Sequence, residues 1–294
     1  MTSIWDAIVI GGGQAGLASG YHLQRKKGLN FVILEASEQA TGSWPQYYDS
    51  LKLFSPARFS SLPGMKIPGD PKRYLRKDEV IRYLQDYKEK FQLPVKYHQR
   101  VESVEKHGHL FTIHSKTGEV YQTRTIINAT GSFHNPYTPG IPGRETFQGE
   151  VIHASGYRNP DRFFNKRVVV VGRGNSAVQI GVELAEISHT SLAVLQPVQF
   201  MRQRILGLDL HVWIKATGFD MFPFWRFGKK APSSGSVIDL GQYQERLKEG
   251  KPDQRPMFTS FYSDGVVWRD GTKEPVDSVI LGQDIDQIFR TLNG

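Results

Sequence analysis

The chain has 294 residues, enough for two domains with a core each. Its composition is that of an ordinary globular protein, and the absence of cysteine excludes disulfides, thiolate metal sites and dithiol redox chemistry. The net charge of +8 comes from Lys and Arg interspersed with acids and not from a basic arm, which argues against nucleic acid and is met by phosphate-bearing cofactors and a solvated basic surface.

The chain opens on an element of the fold. Residues 5–10 form a short apolar run, Gly11-Gly12-Gly13-Gln14-Ala15-Gly16 follows at once, and 17–26 read as a helix. A second apolar run over 30–34 ends in Glu35 and Ala36. Strand, glycine turn, helix, strand and acid make a dinucleotide-binding βαβ unit. Gly11 allows the tight turn and Gly13 lets the backbone approach a pyrophosphate. Gly16 packs the helix onto the sheet. Free N–H groups at Gln14 and Ala15 favour phosphate, and Glu35 is placed to accept ribose hydroxyls. No signal peptide precedes this unit and no apolar run is long enough to span a bilayer, so a cytoplasmic protein is expected.

Ala40-Thr41-Gly42-Ser43-Trp44-Pro45 begins a long irregular stretch to about Arg76, in which Trp44 is either a core anchor or a cover for a flavin. Apolar positions at Val80, Ile81, Leu84, Tyr87 and Phe91 predict a helix over 77–91. Residues 95–97, 100–104, 110–115 and 119–122 predict short strands of a small antiparallel β insertion. A further strand over 125–131 ends in Ala129-Thr130-Gly131, small enough for close approach to a cofactor. The Pro- and Gly-rich 135–143 reads as a linker.

A second βαβ unit follows. Residues 167–171 are a β-branched strand, Gly172-Arg173-Gly174-Asn175-Ser176-Ala177 is the turn, and the helix runs through Ala185. The next strand, 191–195, ends in Gln196 where an acid would repel a 2′-phosphate, and Arg173, Arg202 and Arg204 are candidates to meet that phosphate. NADPH is therefore preferred to NADH. Residues 208–227 are rich in aromatics and read as core, lid or exposed patch. Runs over 258–262, 265–268 and 276–281 are expected to close the second domain and lead back to the first. The histidines show no metal-ligand spacing, so no metal site is expected, and no residue stands out as a catalytic acid or base. Two Rossmann-like α/β domains are expected: a dinucleotide-binding domain over 1–156 that returns at about 276–294 (the FAD-binding domain by the resemblance given next), and an NADPH-binding domain over 157–275 inserted in it.

Between the two units, Phe147, Gly149, His153 and Tyr157 match the FxGxxxHxxx(Y/F) fingerprint, and Gly42-Ser43-Trp44 matches a flavin-side segment. In these motifs the chain resembles the class B flavin-dependent monooxygenases, the flavin-containing monooxygenase and Baeyer–Villiger group. The resemblance implies that Gly11, Gly13, Gln14, Ala15, Gly16, Glu35, Ala36, Ser43, Trp44, Val101, Ala129, Thr130 and Gly131 hold FAD. It assigns NADPH to Gly172, Arg173, Gly174, Asn175, Ser176 and Arg202. It further implies hydride transfer from NADPH to FAD, reaction with O2 and oxygen transfer to a soft small molecule, with a homo-oligomer compatible. Two departures stand out. Phe54 replaces an Asn that supports the oxygenated flavin in relatives, which gives NADPH oxidation without oxygen transfer as the alternative activity. The family's second Ala-Thr-Gly strand end is missing after Leu281. Residues 283–292 read as that strand end translated out of frame, so the tail is expected to come from a frame-shifted or truncated longer enzyme, in the extreme a nucleotide-binding protein with no turnover.

Overall fold

The computed structural model describes residues 4–131, 133, 140–223, 226, 236–240 and 242–282. The chain divides into two units, residues 1–135 and 136–294. The tail over 283–294 lies outside the described residues.

The first unit is built on a six-stranded sheet. β1 (Trp5–Ile10) lies between β2 (Phe31–Leu34) and the strand Val120–Asn128, parallel to both. The expected helix is α1 (Gln14–Gln24), which presses Gly16, Leu17 and Gly20 inward. A methyl at Gly20 would meet Ile33 at 2.7 Å, so this glycine sets how closely helix and sheet approach. β2 is buried on every residue, as a strand covered on both faces must be.

Two expectations change here. Val95–Lys96 belongs to the parallel layer, with Ile33 opposite Val95, and not to the antiparallel insertion. The reason is its connection: it follows β2 through the helix Lys77–Lys90, and a helical crossover delivers a parallel neighbour. The strands predicted over 119–122 and 125–131 are one nine-residue strand, Val120–Asn128. It pairs antiparallel with Leu110–Ser115 along its first half and parallel with β1 towards its end. Val101–His107 closes the meander as an exposed edge.

Helix Lys77–Lys90 buries Val80, Tyr83, Leu84 and Tyr87, one face at helical period. Its Tyr83 and Tyr87 hydroxyls donate to the carbonyls of Met65 and Pro63 at 2.7 Å, which holds part of the irregular stretch against the helix. That stretch also contains the antiparallel pair Lys52–Pro56 and Tyr74–Arg76.

The second unit has a five-stranded parallel sheet, ordered Asp253–Pro256, His189–Val194, Arg167–Val171, Ser278–Leu281, Glu150–His153. Helix Asn175–Leu184 follows its central strand. Val168 to Val171 have no exposure at all, and each such side chain is worth about 1.5–3 kcal/mol of burial. A three-stranded antiparallel sheet, Ser260–Tyr262, Gly265–Val267 and Lys273–Pro275, carries Phe258, Phe261 and Trp268 into the same core as Phe147.

Ser278–Leu281, from the run expected to close the second domain and lead back to the first, is an inner strand of this sheet, fully buried between Arg167–Val171 and Glu150–His153. Glu150–His153, placed before the expected boundary at 156, is the sheet's other edge. Apolar periodicity marks both strands and carries no information about which sheet receives them.

Candidate functional site

The first unit contains a cavity of about 720 Å³ at the carboxyl end of β1, where open α/β sheets receive ligands. Gly11 stands at its mouth with φ +107°, and a methyl there would lie 2.4 Å from the Ala129 carbonyl oxygen. Glycine is required because the turn passes directly over the Ala129–Thr130 strand end. Gly16 does not line the cavity. It lies behind it, where a methyl would fall 1.8 Å from the Gly11 carbonyl oxygen. Gly13 caps α1, and a methyl there would sit 3.4 Å from the Cα of Gly42, itself at φ +56°. The first helical turn therefore faces the cavity with unobstructed backbone N–H groups.

Glu35 is buried, 6% exposed, at the end of β2. Its Oε2 accepts from the Gly12 N–H at 2.6 Å, and its Oε1 accepts from the Ser37 N–H and hydroxyl, both at 2.8 Å. A carboxylate offers about four acceptor positions, so one is left. The Ser37 hydroxyl also reaches the Gln39 carbonyl at 2.8 Å and can turn wholly to it, freeing a second. Glu35 thus has one acceptor position open as it stands, and a second when the Ser37 hydroxyl turns to Gln39.

Of the residues expected at the first nucleotide, Gly11, Gly13, Gln14, Ala15, Glu35, Ala36, Ser43, Trp44, Val101, Ala129, Thr130 and Gly131 all line this cavity. Trp44 is tied to the turn by its indole N–H donating to Gln14 Oε1 at 2.7 Å. Its ring lies 5.4 Å from that of Tyr47, which in turn lies 4.5 Å from Phe133, so three aromatic rings run along one wall. Gly42 of the flavin-side segment lines it too, and so do Tyr47, Phe133, Asn128, Gln99 and Arg100, which the sequence does not single out. Asn128 Oδ1 accepts from both the N–H and the hydroxyl of Thr130, holding the strand end in shape. Its position immediately before Ala-Thr-Gly was the available signal.

The residues present fit a dinucleotide of flavin size. No side chain closes the cradle, the remaining Glu35 acceptor position is uncommitted, and the fully buried Thr41 hydroxyl, beside Gly42, has no hydrogen-bond partner. Among the described residues no group of His, Asp or Glu could hold a metal ion.

In the second unit Gly172 has φ +130°, with Ala177 packed 3.2 Å from where its methyl would be. Gly174 caps helix Asn175–Leu184, and Ser176 lies in its first turn. Asn175 Oδ1 accepts from the Ile238 N–H at 3.1 Å. Arg173 donates to Gln196 Oε1 at 3.0 Å, which joins one candidate arginine to the neutral residue that ends the strand. Arg202 and Arg204 are exposed further along the chain.

The fingerprint residues all have structural partners in this unit. Phe147 is buried against Phe261, ring centroids 4.9 Å apart. Gly149 passes so close to Phe147 and the Asp277 carbonyl that a side chain would collide with both. His153 Nδ1 accepts from the Ser155 N–H at 3.1 Å, capping a short 3₁₀ turn, and burial holds its imidazole below the ordinary pKa of 6.5. Tyr157 is fully buried and donates to Glu183 Oε2 at 2.8 Å.

Two sheets, one mixed and one parallel, each with a glycine turn opening a helix after an inner parallel strand, define an α/β protein of the two-dinucleotide-binding oxidoreductase class. Comparison with known proteins agrees: the chain belongs to the pyridine nucleotide-disulphide oxidoreductase family, whose model matches residues 8–216. These 294 residues contain no cysteine, so the disulfide chemistry in the family's name has no counterpart in them. The chain is 36% identical over 283 residues to an uncharacterized CzcO-like oxidoreductase of Geobacillus kaustophilus, covering 95% of this chain and 80% of that one. It is 40% identical over 198 residues to an uncharacterized oxidoreductase CzcO of Bacillus velezensis, covering 67% of this chain and 57% of that protein. A solved flavin-containing monooxygenase from Stenotrophomonas maltophilia matches with a TM-score of 0.82 and 32% identity over 96% of this chain and 78% of its own. The protein is thus an oxidoreductase of the flavin monooxygenase type, for which FAD and NADPH are the cofactors.

Proposed function

We propose that the chain takes hydride from NADPH onto FAD and passes oxygen from O2 to a soft small-molecule substrate. The observation that carries this reading is the 720 Å³ cavity, walled on one side by the first glycine turn and Glu35 and on another by Trp44, Tyr47 and Phe133. Bound there, FAD supplies the redox and oxygen chemistry, and the protein supplies placement and exclusion of water.

The chain's own residues have limited, definite tasks. The N–H groups at Gln14 and Ala15 would hold the pyrophosphate and Glu35 the ribose, and Val101 and the 129–131 strand end would complete the cradle. The aromatic wall gives flat, water-excluding contact for a ring system. At the second turn Gly172, Gly174, Asn175 and Ser176 receive the NADPH pyrophosphate, and Arg173, held by Gln196, receives the 2′-phosphate with Arg202 as a further contact. The absence of an acid at the end of strand His189–Val194 favours NADPH. A cytoplasmic location belongs to this reading, and no helix among the described residues is long and apolar enough to cross a membrane.

A second reading is NADPH oxidation that ends in hydrogen peroxide. It is favoured by Phe54, which stands on the strand Lys52–Pro56 where an amide would be expected to support oxygen transfer. Steady-state NADPH consumption, measured with hydrogen peroxide yield in the presence and absence of thioether and amine substrates, separates the two. Oxygen transfer predicts peroxide well below NADPH consumed once substrate is added. Equal amounts under all conditions would establish the oxidase, and no NADPH consumption by the flavin-loaded protein would contradict both.

A further inference from the structure

Five of the large hydrophobic side chains that stand exposed fall within eighteen residues of the second unit: Ile205, Leu206, Leu208, Met221 and Phe222. Leu206 is 86% exposed and Met221 84%. Scattered exposed leucines need no explanation, but a concentration of this kind marks a contact surface.

The backbone presents three of them deliberately. Arg204–Ile205 pairs antiparallel with Leu208–Asp209, and Leu206 and Gly207 form the two-residue tip with φ of +50° and +75°. That tip geometry suits Asn or Gly, whereas leucine is strained in it. The hairpin is also braced: the Trp213 indole N–H donates to the Ile205 carbonyl at 3.0 Å, and the Leu210 N–H donates to the Gln203 carbonyl at 2.8 Å. A side chain that gains neither burial nor good backbone geometry, on a loop held firmly outward, is explained by something it meets.

Charge indicates what that is. Residues 198–230 carry six Lys and Arg against two Asp, half of the chain's net charge of +8 in 33 residues. Asp209, one of the two acids, is buried and paired with His211. A second copy of the chain would bring the same positive surface against itself. An apolar tip with the exposed Arg202 and Arg204 at its base instead matches a bilayer surface bearing anionic lipid.

We propose that this segment docks peripherally on an anionic lipid surface, with Ile205, Leu206 and Leu208 entering the headgroup boundary and Arg204 at the hairpin base meeting lipid phosphate. The contact is interfacial, and its truth or failure is independent of the cofactor reading.

Vesicle co-sedimentation of the full chain tests it, using phosphatidylcholine vesicles and vesicles of phosphatidylcholine mixed with phosphatidylglycerol. The expected result is binding about tenfold or more tighter to the mixed vesicles, weakening as salt is raised. Leu206→Asn, which suits the tip's backbone and should therefore fold, is expected to lose most of this binding while keeping the wild-type melting temperature and FAD content. Met221→Ser provides an independent second variant. Failure to bind the mixed vesicles, equal binding to both kinds, or undiminished binding by Leu206→Asn would overturn the proposal. So would a lipid-free dimer that Leu206→Asn dissolves, since that would make the face an interface between copies.

Discussion

Glu35 holds the first site together from within before it meets any ligand. Its carboxylate satisfies the N–H of Gly12 and that of Ser37, two donors that neutral side chains could not serve together at this position. In Glu35→Gln one end of the amide is a donor, so it opposes either the Gly12 N–H or the Ser37 N–H. The expected consequence is a loss of about 1.5–3 kcal/mol, seen as FAD binding weakened roughly ten- to a hundredfold in fluorescence titrations of the apoprotein. Affinity within a factor of two of wild type would remove Glu35 from the site. The spacing of Gly11, Gly13, Gly16 and Glu35 made these positions legible in the sequence, because each role follows from one local βαβ geometry. Gly42 and Asn128 were not legible in the same way. Gly42 matters because its backbone approaches Gly13 from 29 positions away in a separate segment, and Asn128 because it braces Thr130 at a strand end whose path only the sheet defines.

At the scale of elements, the contact of α1 with the turn before it is tight enough to forbid a methyl group. Gly16→Ala would place its Cβ 1.8 Å from the Gly11 carbonyl oxygen, a backbone atom that cannot swing aside. The cost is expected to be about 3 kcal/mol, read as a lowered urea midpoint with unchanged slope. A stability equal to wild type would mean that the turn is not as the structure has it. In the second unit two titrating groups give stability a definite pH dependence. Burial lowers the pKa of His153 below the ordinary 6.5, so the unfolded chain takes up its proton first as pH falls. Stability from this group is present above pH 6.5 and is lost progressively below it. Glu274 acts further down: burial raises its pKa, but hydrogen bonds from Arg167 and Trp268 and the charges of Arg167 and Arg255 outweigh this and hold it below 4.5. Its contribution is present above the unfolded carboxylate range and lost as pH falls through the lowered folded value. His153→Gln, whose amide oxygen can still accept from the Ser155 N–H, is therefore expected to flatten the decline in urea midpoint between pH 7 and about pH 5.5 without removing the later one. An unchanged decline would show that His153 is not its source. The elements themselves were largely legible. The pairing of Val95–Lys96 is not legible, because two residues carry no periodicity and only the crossover helix before them says that they run parallel.

For the whole molecule, the two nucleotide units were visible as a repeat of strand, glycine turn and helix, but their borders were not. A strand such as Ser278–Leu281 is apolar on both faces wherever it is inserted, so its sequence cannot say that it joins the second sheet between Arg167–Val171 and Glu150–His153. The fingerprint from Phe147 to Tyr157 likewise identified a family before it identified a task. Its four residues turn out to build the edge of the second sheet and to fasten that edge to Phe261, to a 3₁₀ turn and to Glu183. The account rests on each glycine turn serving its own nucleotide. The most direct measurement is calorimetric titration of the apoprotein with FAD and with NADPH, on wild type, Gly13→Val and Gly174→Val. The prediction is one FAD and one NADPH bound per chain, with Gly13→Val losing only the FAD and Gly174→Val only the NADPH. A wild-type chain that binds neither, or one in which the two nucleotides compete for a single turn, would contradict it.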